Sequence, residues 1–326
     1  MKMVLLISAL LFANLSQADS KPDLPDLPNF ITEMQTKHGF NGKELAALFE
    51  QVEVKDSILQ AISRPAEKSK PWYEYRAIFI TDSRIEGGIK FWQEHVEALA
   101  RAEKEYGVPA EIIIAILGVE TRYGGNVGGY RVIDALSTLA FKYPPRSPFF
   151  RSELENFLVL TRDEDISALD PIGSYAGAMG LGQFMPSSYR EYAVDFDGDG
   201  HRDIWTNPID AIGSIANYLK RHGWVTGKSI VHLTSFSGDV DEALIEKGMK
   251  PSLNRQTLLD AGLSLTELPV DNDDIAVIAL TQKEGEEYWL ARQNFYAITR
   301  YNHSRMYAMV VTQLGHAIRL RYEGHQ

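Results

Sequence analysis

Glu120 closes the run Val108-Pro-Ala-Glu-Ile-Ile-Ile-Ala-Ile-Leu-Gly-Val-Glu120, which continues Thr121-Arg-Tyr-Gly124. The run reads as a helix. Pro109 suits its first turn, where the missing N–H is no loss. Gly124 and Gly125 suit its end. Ile113, Ile116 and Leu117 lie seven, four and three residues before Glu120 and share its face. A carboxylate there sits on an apolar face near a helix C-terminus, where the dipole disfavours negative charge. Both effects favour the protonated carboxyl, the form a general acid needs near neutral pH. A bland reading stands beside this one: a buried arginine or hydroxyl caps the carboxyl and no chemistry follows. Glu111, in the first turn, suits the dipole and is read as structural.

Two further stretches carry chemistry-bearing residues. Residues 171–189 read Pro-Ile-Gly-Ser174-Tyr-Ala-Gly-Ala-Met-Gly-Leu-Gly-Gln183-Phe-Met-Pro-Ser-Ser-Tyr189, with four glycines in ten residues. Such density means close backbone approach or unusual dihedrals. No Gly-Lys-Ser/Thr follows, so this is not a phosphate loop. Ser174 and Gln183 suit a groove for a polar, extended ligand. Asp195-Phe-Asp197-Gly-Asp199-Gly200-His201 has oxygens at positions 1, 3 and 5 and glycine at 6, the start of an EF-hand loop. Position 12 is Thr206 where a glutamate is expected. The bland reading is an acidic turn.

These residues need a helical frame. Residues 19–29 look like a flexible, Pro- and Asp-rich lead-in. Helical stretches follow at Phe30 onward and at Gly42–Glu50. Asp82-Ser83 marks the N-cap region of one helix to about Tyr106, with Ile85, Ile89, Trp92, Val96 and Leu99 on one face. Helices are also expected over Tyr130–Phe141, Ser152–Asp163, Asn207–Arg221 and Ser304–Tyr322, the last with Met306, Met309, Val310, Leu314 and Ile318 inward. Glu153, Glu155, Glu164 and Asp165 read as a solvated face. Ile275–Leu280, a Lys-Glu-Gly-Glu turn and Tyr288-Trp-Leu read as a β-hairpin. The fold class is mainly α, with a helical core, an N-terminal helical region and a small β-hairpin-bearing insert.

Composition narrows the function classes. With 326 residues and 44% hydrophobic content, the chain is long enough for a sizeable core. Its net charge of -11 argues against a general nucleic-acid binder. Lys2, the apolar stretch Val4–Leu15 and Ser16-Gln17-Ala18 have the form of a signal peptide cleaved before Asp19. That stretch is too short to span a bilayer comfortably; an uncleaved anchor is the other reading. There is no cysteine, hence no disulfide, thiol nucleophile or lipid-bearing cysteine. An exported chain without disulfides relies on packing and fits a periplasm.

Gly118-Val-Glu120-Thr-Arg-Tyr-Gly124 resembles the catalytic-helix motif of the lysozyme-like lytic transglycosylases, and Gly173–Ser188 resembles their second motif. The form is that of the lytic murein transglycosylase B family. Similarity continues through Asp195–His201, Ala211–Tyr218 and Asn294–Asn302, covering roughly residues 70–320. The resemblance implies a lysozyme-like fold and cleavage of the β-1,4 bond between N-acetylmuramic acid and N-acetylglucosamine in peptidoglycan. Glu120 would serve first as acid and then as base, and the C6 hydroxyl of the muramyl sugar would give a 1,6-anhydro end. A retaining glycosidase uses two carboxyls about 5 Å apart; no second carboxylate stands in a comparable motif here. The substrate acetamido group is expected to stabilise the developing charge.

The resemblance also implies that Tyr75, Tyr218, Tyr301 and Asn302 line the sugar cleft with Ser174 and Gln183. It implies that calcium, structural in role, is held by Asp195, Asp197, Asp199, the His201 carbonyl and Asp210. An extra residue near Asn207 departs from the family spacing before Asp210. The family commonly carries two basic residues after Tyr-Pro; Tyr143-Pro-Pro145-Arg146 keeps only Arg146 for the acidic stem peptide. The expected organisation is a signal peptide over 1–18 and an N-terminal region over 19–85. A catalytic core follows over 86–235 plus 293–326, with the EF-hand-like loop at 195–210 and an insert over 236–292. Partners are peptidoglycan strands, with no nucleic acid and no membrane span. A water-using muramidase and a non-catalytic peptidoglycan-binding protein are the alternatives.

Overall fold

A computed structural model describes residues 23–63, 70–236, 240–263 and 273–324. The expected signal peptide lies outside the described residues. In chain order, α1 (Leu27–His38), α2 (Gly42–Phe49) and α3 (Asp56–Ile62) precede α4 (Trp72–Phe79), α5 (Asp82–Glu94) and α6 (Val96–Tyr106). Then come α7 (Ala110–Thr121), β1 (Tyr130–Arg131), α8 (Val132–Lys142), α9 (Ser147–Asp163), β2 (Ile172–Gly173), α10 (Pro186–Tyr192) and α11 (Pro208–Arg221). The chain continues through β3 (Val231–Thr234), α12 (Glu242–Glu246), α13 (Arg255–Asp260), β4 (Ala276–Thr281), β5 (Glu286–Ala291), α14 (Gln293–Tyr301) and α15 (Arg305–Glu323).

The central element is α7. Ala110 and every residue from Ile112 to Gly118 are buried, so the helix is apolar all round rather than on one face. Its β-branched isoleucines are mediocre helix formers, and burial supplies what propensity lacks. Around it pack α5, α6, α11 and α15. Helix α15 approaches closely because Gly315 presents no side chain: a Cβ there would lie 2.9 Å from the Glu111 carbonyl. At the surface of this contact Arg319 pairs with Glu111 at 2.9 Å, the structural role expected of that acid.

Several expectations are corrected. The single helix over 82–106 is two, because His95 leaves helical geometry (φ −126°, ψ 29°). The break turns Val96 outward, to 47% exposure, while Leu99 stays buried. The N-cap is Thr81, whose side chain accepts from Arg84 N. Tyr130 and Arg131 are strand, paired antiparallel with Gly173 and Ile172. Helix α9 begins at Ser147, five residues before the expected start. The acids on α9 are not a plain solvated face. Glu153 is buried and accepts from Ser187 N at 2.9 Å and Ser187 Oγ at 2.7 Å. Glu155 bonds His38 at 2.8 Å, and Glu164 pairs with Arg202. Asp165 is exposed, as expected.

The β-hairpin is β4–β5, in register from Ala276↔Ala291 to Thr281↔Glu286. The sequence reading missed β3, which pairs antiparallel with β5 and makes a three-stranded sheet of order β3-β5-β4. Leu253, Leu258, Ile275, Val277 and Leu290 belong to a small apolar cluster apart from the main core. Among the described residues no helix is long and apolar enough to cross a membrane.

Candidate active site

Glu120 stands in the last turn of α7, partly exposed, beside a fully buried Thr121. The helix does not end on glycine as expected. Arg122 (φ 52°) and Tyr123 (φ 61°) take left-handed geometry, with Gly124 (φ 90°) following them. Each non-glycine residue in that region costs on the order of 1–2 kcal/mol, so other contacts must impose it. Tyr123 N returns to Leu117 O at 3.1 Å, closing the helix end. Tyr123 Oη donates to Arg84 O at 2.6 Å. Arg84 is itself buried and donates from Nε to Gly118 O at 2.9 Å. Gly118 is needed because a Cβ there would meet Tyr123 Oη at 2.5 Å.

Thr121 ties the helix end to the Gly-rich loop. Its Oγ1 donates to Leu181 O at 2.8 Å and accepts from Gly124 N at 3.0 Å. The loop folds on itself through bridges Gly173↔Met179 and Met179↔Phe184. Ser174 Oγ accepts from Ala176 N at 3.3 Å and Ala178 N at 3.1 Å. Gln183 is left-handed (φ 52°), and its Nε2 donates to Val127 O at 3.1 Å and Gly180 O at 3.0 Å. Both side chains therefore shape the loop as well as lining it.

Tyrosines gather on the other side. Tyr307 Oη donates to Glu120 Oε1 at 2.6 Å, while its ring is only 2% exposed. The hydroxyl envisaged as a cap is thus present, yet Glu120 remains partly exposed, so the carboxyl is oriented without being sealed away. Burial pushes the Tyr307 hydroxyl well above its ordinary pKa, and the Glu120 charge pushes it further, so it stays a donor. Tyr301 shifts the same way for the same reasons, and its hydroxyl donates to Gly182 O. The Tyr301 and Tyr307 rings stack 6.5 Å apart at 6°, and Tyr218 meets Tyr301 edge-on at 4.9 Å. Tyr218 Oη donates to Arg300 O at 2.6 Å. Tyr75 is buried close enough to Tyr307 to act on its hydroxyl electrostatically.

Glu120, Tyr307, Tyr301 and Tyr218 are therefore linked through contacts, with Tyr75 near Tyr307, and Ser174 and Gln183 belong to the loop whose Gly182 O accepts from Tyr301. Asn302 follows α14 in extended geometry (φ −140°) and lines a recess of about 510 Å³ with Trp72 and Met306. Arg146 lies on the surface with its guanidinium 4.4 Å from the Phe149 ring centre. The residue that sequence reasoning missed is Tyr307. It lies on the inward face of α15, one position after Met306, where a tyrosine among apolar neighbours signals a buried hydroxyl in need of a partner.

The acidic loop brings carboxylate oxygens of Asp195, Asp197 and Asp210 within 4.8 Å of one another. Asp210 is fully buried; burial raises its pKa and the Asp197 charge adds to this. It accepts from Phe196 N at 2.7 Å and Asp203 N at 2.8 Å, which bridges the loop to α11. Asp195 accepts from Gly200 N at 2.9 Å, and that bond lowers its pKa. Asp199 turns to His201 N at 2.8 Å and stands outside the three-carboxylate group, and the His201 side chain is exposed. Three converging carboxylates suit a hard divalent cation.

Residues 24–316 match the Transglycosylase SLT domain family. The chain belongs to the lytic transglycosylases. It is 44% identical over 305 residues to membrane-bound lytic murein transglycosylase B of Escherichia coli (strain K12), covering 91% of this chain and 83% of that protein. Soluble lytic transglycosylase SltB1 of Pseudomonas aeruginosa superimposes with a TM-score of 0.86 at 53% identity, over 91% of this chain and 99% of that one. Escherichia coli lytic transglycosylase Slt35, solved in complex with calcium, superimposes with a TM-score of 0.83 at 43% identity, over 92% and 94% of the two chains. The lysozyme-like fold and the enzymatic class expected from the motifs are those of the lytic transglycosylase family.

Proposed function

We propose that this transglycosylase cuts the β-1,4 bond between N-acetylmuramic acid and N-acetylglucosamine in peptidoglycan, with Glu120 as its single general acid and base. The observation that carries the reading is the 2.6 Å bond from buried Tyr307 to Glu120 Oε1 within a tyrosine-walled site. With Oε1 occupied by a permanent donor, Oε2 holds the transferable proton. It passes to the glycosidic oxygen as the bond from C1 breaks, and the muramyl acetamido group steadies the positive charge at C1. Ionised Glu120 then takes the proton of the C6 hydroxyl, and O6 bonds to C1. The 1,6-anhydro end forms, Glu120 is reprotonated, and no water is consumed.

Tyr301, Asn302, Ser174 and Gln183 line the sugar cleft in this reading, the buried rings of Tyr75 and Tyr218 back its wall, and Arg146 meets the acidic stem peptide. Tyrosine rings stack on sugar faces and present a hydroxyl at the edge. Asp195, Asp197 and Asp210 hold a structural calcium ion, joined by Asp199 and the His201 carbonyl. The ion would neutralise a crowded acidic loop and brace it on α11. The segment 1–18 acts as a cleaved signal peptide that delivers the enzyme to the periplasm. The small second apolar cluster supports a division that treats 236–292 as an insert in the catalytic core.

Mass spectrometry of digested sacculi is the test. Glu120→Gln should abolish cleavage while leaving folding and glycan binding nearly intact, and wild-type products should be lighter than hydrolysis products by one water. Reducing muramyl ends throughout would identify a water-using muramidase instead. Wild-type turnover in the Glu120→Gln enzyme would remove Glu120 from the chemistry altogether.

A further inference from the structure

A recess of about 530 Å³ has walls that include Asn156, Ser188, Arg190, Tyr218 and His222. It borders the catalytic site through one shared ring. Tyr218 meets Tyr301 edge-on at 4.9 Å and stacks on His222 at 4.0 Å. His222 is fixed by Nδ1 against Tyr218 O at 2.8 Å.

The charges in this recess are unevenly matched. Its acid, Glu191, is bound by Arg221 at 2.8 Å. Arg190 donates to the neutral Asn156 Oδ1 at 2.6 Å, and no ion pair of Arg190 is found among the described residues. Glu153 lies beneath Ser187 and is not part of the wall. In a chain of net charge -11, Arg190 is a cation beside hydroxyl and amide groups with no ion pair among the described residues. A planar guanidinium with free donors suits a carboxylate.

We propose that this recess receives the acidic stem peptide carried by the muramyl sugar, with Arg190 as its carboxylate anchor. The inference rests on the peptidoglycan reading above. It places peptide recognition in a recess that shares Tyr218 with the tyrosine cluster, in addition to the surface at Arg146.

The test compares peptide-bearing murein strands with strands stripped of peptide by an amidase. Arg190→Gln should lower kcat/KM on peptide-bearing strands by about tenfold, as expected for one lost charge-assisted bond. On stripped strands it should match wild type, and Arg190→Lys should recover part of the loss. An equal loss on both substrates would make the recess a sugar site and overturn the proposal, as would no loss on either. A wild-type enzyme that cleaves neither substrate would overturn the peptidoglycan reading itself.

Discussion

Removing one oxygen atom tests the central geometry. Tyr307→Phe deletes the hydroxyl that donates to Glu120 Oε1 at 2.6 Å and leaves the ring packed against Tyr301. A hydrogen bond to an ionised group contributes about 1.5–3 kcal/mol. The bond should matter most when Glu120 is ionised, the state that accepts the C6 proton in the proposed mechanism, so the loss should fall on kcat. Each ~1.4 kcal/mol is a factor of about ten in rate, so kcat should drop by about ten- to hundredfold. The Tyr307 ring is 2% exposed and does not present a face to the cleft. KM should therefore stay within about twofold of wild type, as expected when an interaction is made mainly in the transition state. The assay is the initial rate of anhydro-end release from purified sacculi across substrate concentrations, with circular dichroism to confirm folding. A kcat within twofold of wild type would refute the argument that this hydroxyl orients the catalytic carboxyl.

Two further outcomes follow from the buried acids. Calcium should raise the melting temperature and chelator should lower it, since an ion at about 100 times its Kd stabilises the folded state by about 2.7 kcal/mol; Asp210→Asn should abolish the shift, and a calcium-independent melting temperature would count against the site. For Glu153, burial raises the pKa above the ordinary value of 4.5, so the folded state favours the neutral acid. Its contribution to stability is then present below pH 4.5 and lost as pH rises through the folded value. Glu153→Gln should therefore gain in melting temperature relative to wild type between pH 4 and pH 7.5, and a difference that is the same at both would refute the burial argument.

The parts legible from sequence were those written in local chemistry. Asn207 and Ser304 cap α11 and α15 with side-chain bonds at the expected boundaries. The apolar stripe on α15 follows its period, and the β4–β5 hairpin forms where the apolar run Ile275–Leu280 and the Lys-Glu-Gly-Glu turn place it. What failed depended on distant partners. Nothing near His95 announces a helix break, since the break is imposed by packing of α5 and α6 on different neighbours. Strand β3 has only four residues and exists because β5 offers it an edge. Glu153 looked solvated because its partner, Ser187, lies 34 residues away in sequence. Tyr307 is 187 residues from Glu120, and only the crossing of α7 and α15 makes them neighbours.

In the proposed mechanism one carboxyl gives and then takes a proton, so it has to keep its position through both halves of the reaction. The structure meets this demand at the backbone first. Arg84 grips Gly118, Tyr123 grips Arg84, and Thr121 grips Leu181, so the turn that carries Glu120 is held on both flanks. The left-handed pair Arg122–Tyr123 is the sign of that grip, because unforced residues would relax out of it. Tyr307 then fixes the side chain from α15, a helix independent of the turn. Position is thus set by two separate elements, the turn that ends α7 and a hydroxyl on α15. That separation explains why the glutamate alone does not reveal its role. The motif supplies the carboxyl and its turn, while the hydroxyl that orients it, and that the proposed acid and base roles rely on, comes from the far end of the chain.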